Sequence, residues 1–233
     1  KGNIPFVGVP KTIDNDIDLT DSLGFATAVE VATEALDRLQ PTAASHRRAM
    51  ILEVMGRDAG HIALNAGIAG GADIILIPEI PYSIKSIAMH IENLRSKGRN
   101  HCLMVVAEAV KKENGKKATV KYVDGEIRLG GIGNYLGDEI YKITNSETRV
   151  TVLGHVQRGA QPTHRDRLIA SAFGVYAVDL IAKKKFNRVV VWKDRGVQDL
   201  PLSQIAGYSK TIQRNDPLIK VAKGLGIYIG EIA

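Results

Sequence analysis

Nine consecutive residues, Gly8-Val9-Pro10-Lys11-Thr12-Ile13-Asp14-Asn15-Asp16, bring a lysine, a hydroxyl, an amide and two carboxylates into one short stretch. Acids at i and i+2 on an irregular loop can hold different tasks, one accepting a proton and the other standing near a metal or a cation, because their surroundings differ. A solvated acidic turn has the same composition, since Asp and Asn are common turn formers. Two further stretches set cations beside glycines. In Met55-Gly56-Arg57-Asp58, Gly56 allows close backbone approach and Arg57 supplies positive charge. Gly154-His155-Val156-Gln157-Arg158-Gly159 repeats the theme, and an arginine's planar fork suits a phosphate better than an ammonium does. Each of these alone is also compatible with a satisfied surface turn.

The elements that must position these loops follow from hydrophobic periodicity. Ile4 to Val9 reads as a short buried strand that Pro10 ends, because proline cannot donate to a ladder. Phe25, Val29, Ala32, Leu36 and Leu39 recur at helical spacing and predict an amphipathic helix stopped by Pro41. Strands are expected at 49–54, 74–77, 102–107, 150–153 and 189–192. Helices are expected at 61–69, 84–95, 130–144, 167–182 and 218–223, the one at 167–182 with Leu168, Ala172, Val175 and Val178 on its inner face. Lys111 to Lys117 reads as a solvated basic loop. Apolar strands alternating with longer helices predict an α/β class with mostly parallel sheets covered on both faces, where ligands sit at the strands' carboxyl ends. Every chemistry-bearing loop follows a strand: Lys11 to Asp16, Gly56 to Asp58, Glu79, Glu108, and His155 to Arg158. They are therefore expected to meet in one cleft.

Composition narrows the class further. The 233 residues are 45% hydrophobic and 24% charged, enough for one large domain or two modest ones. No apolar run approaches the ~20 residues of a membrane span, so no membrane partner is expected. The single cysteine, Cys102, lies in an apolar run and cannot pair within the chain, which with the lack of a secretory signal favours a cytoplasmic location. The net charge of +6 admits nucleic acid in principle, but the cations are dispersed and aromatics make up only 5%, too few for base stacking. Small phosphorylated substrates explain the excess as well.

The strings Gly8 to Asp16, Ser45 to Gly60, and Leu153 to Gly159 running on through Asp166-Arg167 resemble three successive motifs of the phosphofructokinases, in that family's order and spacing. The resemblance implies two Rossmann-like three-layer α/β/α domains with mostly parallel sheets. Residues 1–25 and 157–207 would form the remainder of a donor-side domain, and 26–156 with 208–233 a domain binding fructose 6-phosphate. It also implies roles. Asp14 would be the general base, Asp16 would orient the site and help indirectly with a magnesium ion, Mg2+, and Thr12 would hydrogen-bond near the transferred group. Arg57 would stabilise the transferring phosphoryl and Glu108 would bind a sugar hydroxyl. Arg48, Arg149, His155 and Arg158 would hold the sugar phosphate, with the backbone at Met55 and Gly56 closing over it. Arg48 and Arg149 would serve a neighbouring subunit, so a homo-oligomer, dimer or tetramer, is expected. Lys11, at the donor's phosphates, favours pyrophosphate over ATP as donor. Lys1 stands at the door of the first strand, and the family's donor loops have no counterpart in the sequence, so a truncated chain of little activity by itself is expected. Glu79, Lys97 and Arg99 fall where some ATP-dependent members bind an effector nucleotide. A non-catalytic regulatory subunit of the same fold is the competing reading, opposed by the intact Asp14, Asp16 and Arg57.

Overall fold

In a computed structural model, residues 4–121 and 127–231 are described, which leaves the expectation about Lys1 outside the described residues. The chain divides into two compact units, Lys1–Ala28 with Ala160–Lys210 and Val29–Gly159 with Thr211–Ala233. Among the described residues no helix is long and apolar enough to cross a membrane.

The first unit holds a three-stranded sheet of β1 (Val7–Gly8), β8 (Arg188–Lys193) and β9 (Gly196–Pro201) in that order, β1 parallel to β8 and β8 antiparallel to β9. Helix α5 (His164–Ala182) covers it, seating Ile169, Phe173, Ala177 and Leu180 with Val190 in one core cluster. This corrects the expected inner face of the fifth helix. Leu168, Val175 and Val178 are each more than 60% exposed, because the apolar set one step along the helix carries the larger Phe173 and takes the sheet. Strand β9 is interrupted by Gln198 and the acid Asp199 and bounded by Gly196 and Pro201 in place of a continuous apolar run, and the sequence reading missed it. Asp199 accepts bonds from Tyr176 and Arg188, which draw its carboxyl below the usual range against the opposing effect of burial. Asp166 closes the unit's other end. Its carboxylate accepts the N–H groups of Gly24 and Thr27 at 3.0 and 2.8 Å, filling the amide positions that α1 (Phe25–His46) leaves unpaired at its start.

The second unit is built on four parallel strands in the order β3 (Ile74–Leu76), β4 (Cys102–Ala107), β2 (Ala49–Val54), β7 (Thr148–Val152). Strands β2 and β4 are buried at every residue, as expected where both faces are covered. Alternation along β2 shows which helix takes which face. Met50 packs with Leu39 and Ala43 of α1, whereas Ile51 and Glu53 face Gly133 of α4 (Ile132–Thr144). α2 (His61–Ala69) lies against β3 and β4 and touches α6 (Pro217–Gly224), and α3 (Ile84–Ser96) neighbours α4. Helix α1 runs through Pro41 to His46 instead of stopping there. The ring removes one helical hydrogen bond, but the turn beyond it buries Ala43 completely against Met50 and Leu103. A short antiparallel pair, β5 (Thr119–Lys121) and β6 (Ile127–Leu129), was also missed. Cys102 is buried, and desolvation pushes its thiol up.

Candidate active site

Three neighbouring parallel strands bring their following loops to one edge. The register pairs Val54 with Ala107 and Glu53 with Val152, so residues 55 and 108 leave the sheet at the same height and residue 153 one step before them, strands about 4.8 Å apart. Backbone bonds extend the ladder by one step, from Glu108 N–H to Val54 and from Leu153 N–H to Glu53. After β7 the chain turns through the 3-10 helix Gly154–Arg158. The result is a pocket of about 730 Å³ whose wall includes Met55, Arg57, Glu108, His155 and Arg158. Five of the residues singled out from the sequence thus come together in the second unit. The wall also includes Glu53, Gly131 and Asn134, which sequence reasoning did not name. The signal for Glu53 was a lone carboxylate inside an otherwise apolar strand.

The loop Met55 to Arg57 is held at every amide. Met55 N–H donates to Gln157 Oε1 at 2.9 Å, and the N–H groups of Gly56 and Arg57 both donate to Glu108 Oε1, at 3.2 and 3.0 Å. Glu108 therefore spends one oxygen on the loop itself as well as lining the pocket. A side chain at Gly56 is excluded, since a Cβ there would lie 2.6 Å from the Ala59 carbonyl oxygen. Arg57 adopts a left-handed backbone, φ 55°, a conformation that costs an L-residue about 1 kcal/mol and persists only where the surroundings impose it. Its side chain is exposed, as are those of His155 and Arg158. Glu53, 2% exposed, is consumed structurally: its two oxygens accept Gly131 and Gly133 N–H at 2.9 and 2.8 Å, at the start of α4. Arg57 and Arg158 bring positive charge to the mouth beside the Glu108 carboxylate, and the two guanidinium groups suit a phosphate ester.

Arg48 and Arg149 are not at this pocket. Both lie at the amino ends of β2 and β7, where Met50 pairs with Arg149. The five-residue run to the carboxyl end is about 16 Å. Both bind Glu147, Arg48 Nε at 2.6 Å. The hydrogen bond from Arg48 and the charge of Arg149 hold the Glu147 carboxyl below its usual range. Glu79 and Arg99 hold different partners. Glu79 Oε1 accepts Gly60 and Ile212 N–H at 3.0 and 3.2 Å. Arg99 instead pairs with the buried Asp73 at 3.2 Å, whose carboxyl burial pushes up, as burial lowers the nearby His90 imidazole.

Lys11, Thr12, Asp14 and Asp16 lie in the first unit. Pro10 O accepts Leu23 N–H, and Lys11 forms a bridge with Leu23, which together fix the loop's start. Thr12 Oγ1 donates to Asp14 Oδ2 at 3.0 Å and accepts Asp14 N–H at 3.2 Å. Asn15 turns left-handed, φ 54°, with Oδ1 accepting Ser22 N–H at 3.0 Å. Asp16 is anchored through its carbonyl, which accepts Lys210 N–H at 2.8 Å. Asp14 is thereby set at 8% exposure on a braced turn. Among the described residues no three His, Cys, Asp or Glu side chains converge as a metal ligand set.

Comparison with known proteins gives a consistent result. The sequence profile described as Phosphofructokinase matches residues 1–181. The chain is 56% identical to the ATP-dependent 6-phosphofructokinase 1 of Nostoc sp. and 54% identical to that of Synechocystis sp., in each case over 99% of the chain. It spans 65% and 64% of the lengths of these two relatives. The crystal structure of a pyrophosphate-dependent phosphofructokinase from Marinobacter aquaeolei superposes with a TM-score of 0.77 at 25% identity, over 97% of this chain and 57% of that one. Shared strings, strand-end loops and relatives agree: the chain belongs to the phosphofructokinase family.

Proposed function

We propose that this chain is the larger part of an ATP-dependent 6-phosphofructokinase, transferring the γ-phosphoryl of magnesium-bound ATP to the 1-hydroxyl of fructose 6-phosphate. The observation that carries the donor is the pair of relatives above 50% identity named ATP-dependent, against a pyrophosphate-dependent neighbour at 25%. It displaces the expectation placed on Lys11. One exposed ammonium beside the phosphates is a point charge that serves either donor equally.

In this reading Asp14 takes the proton of the sugar's 1-hydroxyl as that oxygen attacks the γ-phosphorus and the bond to the β-phosphate bridge oxygen breaks. Thr12 holds the carboxylate in register, and Asp16 stands near the magnesium-bound donor. Arg57 neutralises charge on the transferring phosphoryl, while His155 and Arg158 take the 6-phosphate and Glu108 a sugar hydroxyl. Positioning and charge neutralisation supply most of the acceleration in such reactions. The first unit is the donor side and the second the sugar-phosphate side. Arg48 and Arg149, at the wrong end of their own sheet, serve the pocket of a second copy, which makes the enzyme a homo-oligomer. Initial rates of the full-length protein with fructose 6-phosphate and magnesium test the donor. ATP is expected to support turnover at least a hundredfold faster than pyrophosphate; the reverse preference overturns this reading, and silence with both leaves a regulatory subunit.

A further inference from the structure

Gln157 is 1% exposed, yet it sits between His155 and Arg158, which are exposed at the pocket mouth. Its side chain turns inward from the 3-10 helix Gly154–Arg158 to accept the N–H of Met55, the first residue after β2. The other two amides of that loop go to Glu108. Gln157 is thus a direct side-chain tie between the turn bearing His155 and Arg158 and the loop bearing Arg57. A buried amide with nothing but packing to do would be an expensive choice, since its polar atoms need partners. We propose that Gln157 is a positioning residue which locks these two loops together, so that the side chains holding the substrate's phosphate and the guanidinium facing the transferred phosphoryl keep a fixed spacing. The inference rests on the function proposed above for this pocket, and its physical core, the coupling of the two loops, stands apart from it.

The coupling explains how a left-handed arginine persists. Arg57 keeps its φ of 55° because Gln157 and Glu108 hold the three amides from either side. Releasing Met55 lets the loop relax toward an ordinary backbone, and the guanidinium is then displaced. A shift of about 1 Å in a positioning group is enough to cost a hundredfold in rate.

The test compares Gln157→Met, which keeps the length and loses the acceptor, with Gln157→Glu, which keeps an acceptor at the same reach, both in the full-length protein. Amide hydrogen exchange is read first. Gln157→Met is expected to speed exchange at least tenfold at both 55–57 and 154–159 while the strands keep their protection, and Gln157→Glu to restore it at 55–57. Faster exchange in 154–159 alone overturns the coupling, whether or not the protein phosphorylates fructose 6-phosphate. The kinetic readout is at least a tenfold rise in KM for fructose 6-phosphate together with at least a tenfold fall in kcat, with an unchanged thermal midpoint and substantial rescue by glutamate. A loss of activity that merely follows a lowered midpoint in both variants overturns the positioning role. If the parent has no activity with fructose 6-phosphate while exchange behaves as described, the functional reading fails and the coupling survives.

Discussion

Replacing Asp14 with asparagine in the full-length protein is expected to lower kcat by about a thousandfold, within the range measured for removal of a general base, and to change KM for fructose 6-phosphate by less than about threefold. The side chain keeps its size, so the Thr12 hydroxyl at 3.0 Å still finds an oxygen and the braced turn through Asn15 and Ser22 survives. What disappears is the capacity to take a proton. A coupled assay of fructose 1,6-bisphosphate formation gives kcat, and a thermal melt shows whether the fold is intact. A drop smaller than tenfold with an unchanged melt would assign proton removal to another group.

The second large effect is on stability. Glu53→Gln is expected to destabilise the second unit by about 3 kcal/mol, because the carboxylate's two charge-assisted bonds to the start of α4 become one ordinary bond and one facing pair of donors. Glu53 is nearly fully buried, and both oxygens are committed, to Gly131 and Gly133. Water cannot replace them. For a chain of this size such a loss corresponds to a fall of roughly 6–12 °C in the midpoint, read by circular dichroism. Gly133 explains why no other arrangement is available: an added Cβ would lie 2.8 Å from Val150 Cγ1, so α4 can approach the sheet this closely only at a glycine. A shift of under 2 °C would show that Glu53 holds α4 far less tightly than its bonds imply.

Much of the second unit was legible in the sequence. The expected spans 49–54, 61–69 and 102–107 agree with β2, α2 and β4 to the residue, since each is a mostly apolar run bounded by glycine or by polar and charged residues. That strands carry chemistry on their carboxyl ends then located Arg57, Glu108, His155 and Arg158 around one pocket. Periodicity failed where a segment offers two apolar faces. In α5 both the Leu168, Val175, Val178 set and the Ile169, Phe173, Ala177 set recur at helical spacing, and only the shape of the sheet chooses between them. Pro41 misled for a related reason, because a proline's local cost is smaller than the packing of the turn beyond it. Glu53, Gln157 and Asp166 were illegible as struts. Their meaning lies in which distant amides they accept, 78 to 142 positions away, and no local pattern encodes that. Lys11 was a weak guide for a different reason, since a single cation does not discriminate between donors, and the relatives named ATP-dependent favour the other donor.

The most direct measurement is of transfer itself: the full-length protein incubated with fructose 6-phosphate, magnesium and ATP labelled in the γ-phosphate. Label is expected to appear at carbon 1 of fructose 1,6-bisphosphate in step with ADP formation, and to vanish from it in Asp14→Asn. ATP hydrolysis with label only in inorganic phosphate, or transfer to a different acceptor, would contradict the account.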